Sequence, residues 1–328
     1  MISTPPPRDE IDTSALSQIF NDTTNSYKLV FFQALLNLLE QREKERSSDL
    51  SFDLKELAVS VLATAWYSHT FFRLSFGAQD QTSKILDRLI INLDTSAITS
   101  ANFETHIKNE IWSQYELIKA RDLLRYVPYR LLTPFFPEEL RGIKDWKKRQ
   151  VIREAAAVRF PTKSPPIYRF TNDGGVIEIH PLWRDYLLQE MAIIKGWVKY
   201  HWLQYLQERN PNTPAIIKKL SPPGQRSDLT DQRHFWHTVL KKSTQRCIDP
   251  DDFTLDHFVP WSFVCHDQLW NLIPVSRDVN SQKGYQLPLK RDIDAFIEAQ
   301  HHALLINRNQ MHNAQWLRAT GSYVDALQ

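Results

Sequence analysis

Leu255–Lys283 reads LDHFVPWSFVCHDQLWNLIPVSRDVNSQK. Within it lie Asp256, His257, Asn271, Asn280 and Lys283. Upstream and through its first part, Phe253–Val259 (FTLDHFV) has strand character, and Pro260 ends it. Trp261–Leu269 is too long for a tight turn and predicts a compact loop. Trp270–Val275 (WNLIPV) predicts a second strand, antiparallel to the first. Ser276 can cap a short helix from Arg277 onward, and Gly284 can stop it. The expected order is strand, loop, strand, helix, with Asn280 on the helix facing back toward the first strand. Neighbours on a regular strand point to opposite faces. Asp256 and His257 can therefore serve one site only at the strand end, where the pleat breaks before Pro260.

These residues resemble the HNH nuclease family of the ββα-metal fold. The family pattern is a strand ending in Asp-His or His-His, a central Asn, and a further His or Asn on the helix. Here Asn271 follows His257 by fourteen residues, Asn280 follows Asn271 by nine, and Lys283 comes three later. That spacing is similar to the HNH domain of the RNA-guided CRISPR effector nucleases. The resemblance covers thirty to forty residues. It implies phosphodiester hydrolysis, with His257 as the general base, since an ordinary imidazole titrates near neutrality. Asp256 and Asn280 are the implied ligands of one Mg²⁺ or Mn²⁺, a hard cation that prefers oxygen. Asn271 is implied to brace the loop and fix the His257 ring, and Lys283 to contact a phosphate. Cys247 falls where many relatives begin a CxxC zinc knuckle. That pattern is absent, so no structural zinc is expected, and Trp261, Phe263 and Trp270 are the candidates to hold the fold by packing. Asp249, Asp251 and Asp252 read as a solvated turn, and His266 as a surface or supporting residue.

Outward from this stretch the chain reads as helical. Scarce Gly (8) and plentiful Trp (10) suit helix packing with large aromatic anchors. Residues 1–25 read as a loose Pro-rich arm. Ser26–Glu43 has Leu29, Phe32, Leu35, Leu36 and Leu39 at helical spacing, with Asn25 or Ser26 as cap. Leu54–Phe76, Gln79–Leu93 and Ser100–Leu124 follow as further helical pieces, then YVPYRLLTPFFPEE as a packed turn. Ile167–Phe170 and Val176–His180 flank TNDGG, a hairpin signal, with His180 as a structural or capping residue. Leu182–Arg209 predicts one long helix, and Ser221–Ser227 a linker. Lys290–Asn307 is amphipathic through Ile293, Phe296, Ile297, Leu304 and Leu305. The expected fold is mainly α with a small α+β module. Its expected domains are a helical domain (1–165), a β-hairpin plus helical connector (166–245), and an HNH nuclease domain with C-terminal helices (246–328).

A net charge of +2 does not by itself announce a polyanion ligand, so local clustering carries that expectation. Arg141–Arg153 (RGIKDWKKRQVIR) sets Lys144, Lys147, Lys148 and Arg149 around Trp146, a mixture suited to phosphate contact. Lys241 and Lys242 add a second basic patch just before the key stretch. No apolar run long enough for a membrane span and no secretory signal are read, and a cytoplasmic location is expected. The expected partner is DNA, with RNA as the alternative substrate. A Walker A pattern is absent, so any ATP-driven step falls to a separate ATPase or guide-bearing protein. An effector of bacterial defence or of a mobile element is the implied role. The competing reading is a catalytically silent HNH-fold interaction subunit of a nucleoprotein complex.

Overall fold

The computed structural model describes residues 4–91, 103–223, 228–243, 248–283 and 286–325. The chain divides into two units: residues 1–212 with 216–222, and residues 213–215 with 223–328. The hairpin expected to begin a separate segment at 166 thus belongs to the first unit, and the segment 166–245 is split between the two.

The first unit is built around α2 (Tyr27–Lys44). The sequence predicts one apolar stripe, but Leu29 to Leu39 bury nearly every side, including Val30, Phe31, Ala34 and Leu38. A helix buried all round must be wrapped by others. It is wrapped by α3 (Leu54–Trp66), α6 (Val127–Leu131), α8 (Pro181–Gln189) and α9 (Met191–Arg209). Ser26 sits at its N-cap, yet the side-chain cap is not its own: Ser26 N–H donates to buried Asp80 at 2.8 Å.

Residues 4–25 are not a loose arm. Ile11, Ala15, Leu16, Ile19 and Phe20 are buried, with α1 (Thr13–Ser17) between them, and Phe20 meets Trp197 at 4.8 Å. Their apolar spacing buries one face of the turn, which outweighs the Pro-rich composition. The predicted helix 182–209 is two helices, because the backbone leaves helical geometry at Glu190 (φ −99°, ψ 17°).

The hairpin forms as β2 (Tyr168–Thr171) and β3 (Val176–Ile179). Asn172, Asp173 and Gly174 all take positive φ in the turn, the conformation that Asn, Asp and Gly tolerate best. A third strand, β1 (Ser51–Asp53), pairs antiparallel with β3, giving the order β1-β3-β2. It is three residues long, too short for an alternating pattern to stand out in the sequence. α4 (Gln81–Leu86), α5 (Phe103–Ser113) and α7 (Asp145–Arg159) complete the unit. The ends of the pieces expected at Gln79–Leu93 and Ser100–Leu124 fall partly outside the described residues. No helix among the described residues is long and apolar enough to cross a membrane.

The second unit contains α10 (Thr230–Lys242), β4 (Thr254–His257), α11 (Trp261–Val264), β5 (Leu272–Val275), α12 (Arg277–Lys283), α13 (Lys290–Arg308) and α14 (Asn313–Asp325). β4 and β5 pair antiparallel with Asp256 opposite Ile273 and His257 opposite Leu272. The expected strand–loop–strand–helix order is present. The strands are shorter than predicted, and the loop contains α11. Part of the linker at 221–227, together with Cys247 and Gly284, lies outside the described residues.

His180 caps α8: its Nδ1 accepts from the Leu182 N–H at 3.2 Å, which requires a neutral ring nitrogen. Burial, and then the nearby Arg169 charge, hold its pKa below the ordinary histidine value, against an opposing pull from Glu178. Burial lowers His201 in the same direction. Below about pH 6.5 the unfolded chain therefore binds more protons than the fold does, and stability falls as the pH falls. Thermal unfolding of the first unit is expected to shift to lower temperature between about pH 7.5 and about pH 5.5. His180→Asn, which keeps a capping acceptor without the titration, is expected to reduce that shift.

Candidate active site

The second unit places the candidate residues on one small element. β4 ends at His257, so Asp256 and His257 are its last two residues. Alternation still holds: Asp256 is half-buried and His257 buried. Each meets a different partner.

His257 Nε2 lies 2.9 Å from Asp267 Oδ1, with both side chains largely shielded from water. With Nε2–H donating to that carboxylate, Nδ1 remains as the proton acceptor. The sequence predicts that Asn271 fixes this ring, and the structure corrects that. Asp267 holds the ring, while Asn271 holds backbone. The fully buried Asn271 side chain accepts from Val259 N–H and donates to Val259 C=O, each at 2.8 Å. Its own carbonyl accepts from Phe258 N–H at 2.8 Å. Two residues beyond His257 are thus locked to the start of β5, and this fixes where the first strand ends. Sequence reasoning passed over Asp267. Its one signal was a carboxylate in the loop between the strands, ten residues from an imidazole.

Asp256 Oδ2 accepts from Lys283 Nζ at 2.6 Å. The same ammonium donates to the His257 carbonyl. α12 packs against β4, so Lys283 bridges the helix to the strand end. Asn280, one turn earlier on α12, is half-buried, and its N–H closes the first helical turn onto Ser276 C=O at 3.2 Å. Asp256 and Asn280 offer hard oxygen donors, and the Asp256 carboxylate is already in contact with a cationic atom. That donor chemistry fits one small divalent cation. Among the described residues no group of three or more His, Cys, Asp or Glu could hold a metal.

The residues that hold this element are not those the sequence pointed to. Phe263 is exposed, and Trp261 and Trp270 are only half-buried. The core instead joins Phe235, Trp236 and Val239 of α10, Phe253 and Leu255, Leu269 and Leu272, and Ala303 of α13. Buried polar side chains tie it to the backbone. Gln300 donates to Leu272 C=O at 2.8 Å and accepts from Tyr323 O–H at 2.6 Å. Burial pushes the Tyr323 phenol above its ordinary range, which keeps it a donor. Arg233 donates to Phe253 C=O at 3.0 Å, and Gln232 to Asp267 C=O at 3.3 Å. On α13 the buried face is Gln300, Ala303 and Asn307, whereas the expected Ile293, Ile297 and Leu305 are exposed. Of the expected set, Leu304 packs against this core and Phe296 stacks on Phe258 at 3.8 Å.

Among the other predicted residues, Asp251 and Asp252 are exposed and pair with His237 and Arg277 at 3.5 and 3.2 Å. Lys241 and Lys242 are exposed in the last turn of α10. Lys144, Lys147, Lys148 and Arg149 belong to the first unit, at the start of α7.

A β-hairpin closed by a helix, with an imidazole–carboxylate pair and an Asp–Lys pair at its strand end, is a ββα module. Residues 242–289 match the family model of the HNH endonuclease. This segment is an HNH endonuclease domain, and its membership suggests nuclease chemistry. The match names the HNH family and carries no likeness to CRISPR effectors in particular. No curated protein and no solved structure matches the chain.

Asn271→Ala would leave the half-buried Val259 N–H and C=O without their side-chain partner. The second unit is expected to lose about 1–3 kcal/mol, measured by chemical denaturation.

Proposed function

We propose that the chain is a metal-dependent endonuclease that hydrolyses DNA phosphodiester bonds at the β4 end. The observation that carries this reading is the shielded His257–Asp267 pair at 2.9 Å, set beside Asp256 where β4 stops. His257 acts as general base: Nδ1 takes the proton from the attacking water while Nε2 stays on Asp267. The Asp267 carboxylate holds the ring in that tautomer and stabilises the imidazolium that forms, which makes it a positioning residue. Asp256 and Asn280 would hold one Mg²⁺ or Mn²⁺, which when bound supplies charge neutralisation at the phosphoryl and leaving oxygens. Lys283, held by Asp256 from α12, exchanges that carboxylate for a substrate phosphate. Asn271 acts on no substrate atom and keeps the strand end in place. Lys241 and Lys242 extend positive charge from α10 toward a nucleic-acid backbone. The spacing of Asn280 and Lys283 after His257 is similar to that in RNA-guided effector nucleases, and it supports Asn280 as a ligand. An HNH segment joined to a large helical unit extends the reading to the effector of a bacterial defence or mobile-element system, acting with an ATPase or guide-bearing protein partner.

Purified protein is expected to nick supercoiled plasmid with Mg²⁺, and to stop on chelation. His257→Ala is expected to slow nicking at least about 10²-fold. A variant as active as the wild type ends the enzyme reading in favour of a silent HNH-fold subunit. Parallel assays on RNA decide between the two polymers.

Asp267→Asn keeps the shape of the ring's partner and removes its charge. It is expected to lower kcat roughly 10- to 100-fold with KM nearly unchanged. A rise in KM at constant kcat would instead place Asp267 in substrate binding.

A further inference from the structure

The first unit carries a surface that the endonuclease reading leaves unused. It centres on the turn between Ala120–Leu124 and α6, and on the first turns of α7. Two adjoining cavities open there, of about 720 and about 340 Å³, and they share Arg125, Tyr129 and Arg149. Their walls set five cations (Arg121, Arg125, Arg130, Lys148 and Arg149) against two carboxylates, Asp122 and Asp145. Asp145 is already engaged, 2.9 Å from Arg130 and 3.7 Å from Lys148.

Two aromatic rings stand out of this basic wall. Trp146 is 74% exposed and Tyr126 50%. Both are edged by positive charge. The Arg125 and Arg130 guanidinium carbons lie 5.2 and 5.7 Å from the Tyr126 ring centre, and Lys147 Nζ lies 5.0 Å from that of Trp146. Below them, Arg149 is laid over the buried Tyr129 ring at 4.9 Å.

We infer that this groove is a binding site for single-stranded nucleic acid. Its cations track the phosphates, and Tyr126 and Trp146 stack unpaired bases. A duplex would satisfy the cations but keeps its bases stacked inside, so the two rings would gain nothing from it. Exposed rings interleaved with cations are the combination that single strands use, with stacking that tolerates any base. The choice of polymer rests on the endonuclease reading, while the groove itself is argued from the first unit alone.

The test is fluorescence anisotropy on the full-length chain carrying His257→Ala, so that the probe stays uncut. Probes are oligothymidylate, oligouridylate and a mixed duplex, each of about 20 nucleotides. Single strands are expected to bind more tightly than duplex. Tyr126→Ala and Trp146→Ala are each expected to weaken single-strand binding roughly tenfold and leave duplex binding unchanged. Trp146→Phe should restore most of the affinity. Arg125→Ala and Arg149→Ala should each reduce the slope of log K against log salt by about 0.7. Thermal unfolding at the wild-type midpoint shows that a variant keeps its fold. A preference between the deoxy and ribo probes names the polymer, and equal binding supports the groove as well.

If the ring variants bind single strands as the wild type does, the inference is overturned, even where the Arg variants bind weakly. Duplex binding as tight as single-strand binding overturns it too, leaving a plain phosphate-binding face. A chain that nicks DNA while its ring variants bind normally loses this inference and keeps the endonuclease reading. A chain that binds single strands through the rings and never nicks loses that reading and keeps this one.

Discussion

The candidate site depends on one side chain that touches no reacting group. Asn271 makes both of its amide hydrogen bonds to the backbone of Val259, at 2.8 Å each, from a fully buried position. A buried amide left unpaired is costly, so the pairing is effectively obligatory. Because Asn271 immediately precedes β5 and Val259 follows β4, the bonds set how far the two strands run together. Pairing stops at His257 and Leu272. One residue more or less would move the strand end away from Asp256 and His257, and the end is where strand neighbours with opposite-facing side chains can work together.

Once the strand end is fixed, separate partners aim the two candidate side chains. His257 turns to Asp267 on the loop, and Asp256 turns to Lys283 on α12. Asp267 is itself held, through its carbonyl, by Gln232 of α10. The absence of a CxxC knuckle raises the question of what replaces it. α10 and α13 do so by enclosing the hairpin in an apolar core stitched by Gln300, Asn307 and Arg233 to backbone carbonyls. Amide and guanidinium donors placed against otherwise unpaired carbonyls give direction that apolar packing lacks.

How much of this was legible follows from range. The ββα order, the Asp256–His257 strand end and the Asn271–Asn280 spacing are local, and the sequence carries them openly. His180 as a cap and TNDGG as a turn are legible for the same reason. Asp267 was passed over because its role depends on the loop folding back over His257, a contact no periodicity encodes. In the core, composition and placement part company. Trp261, Phe263 and Trp270 are large and close in sequence to the site, yet the burial falls to Phe235 and Leu272, joined across the chain by tertiary packing. On α13 an apolar spacing pointed to Ile293, Ile297 and Leu305, while the buried face carries Gln300 and Asn307. Polar residues that satisfy backbone groups can outbid aliphatic ones for a core position, and hydrophobic patterning alone does not register that.

The division of the chain bears on where selectivity resides. The module in the second unit gathers the His257–Asp267 and Asp256–Lys283 pairs and Asn280 within one hairpin, its loop and one helix. Such a module has little surface left to read a polymer, since phosphate contacts position a nucleic acid without specifying it. The first unit is the larger of the two and builds its own core around α2. Under the proposed function, cleavage and choice of substrate are therefore separable. On that proposal, a change confined to the α6–α7 groove alters which nucleic acid is held and leaves the His257–Asp267 pair intact, and a change at His257 removes the proposed chemistry without loosening the grip.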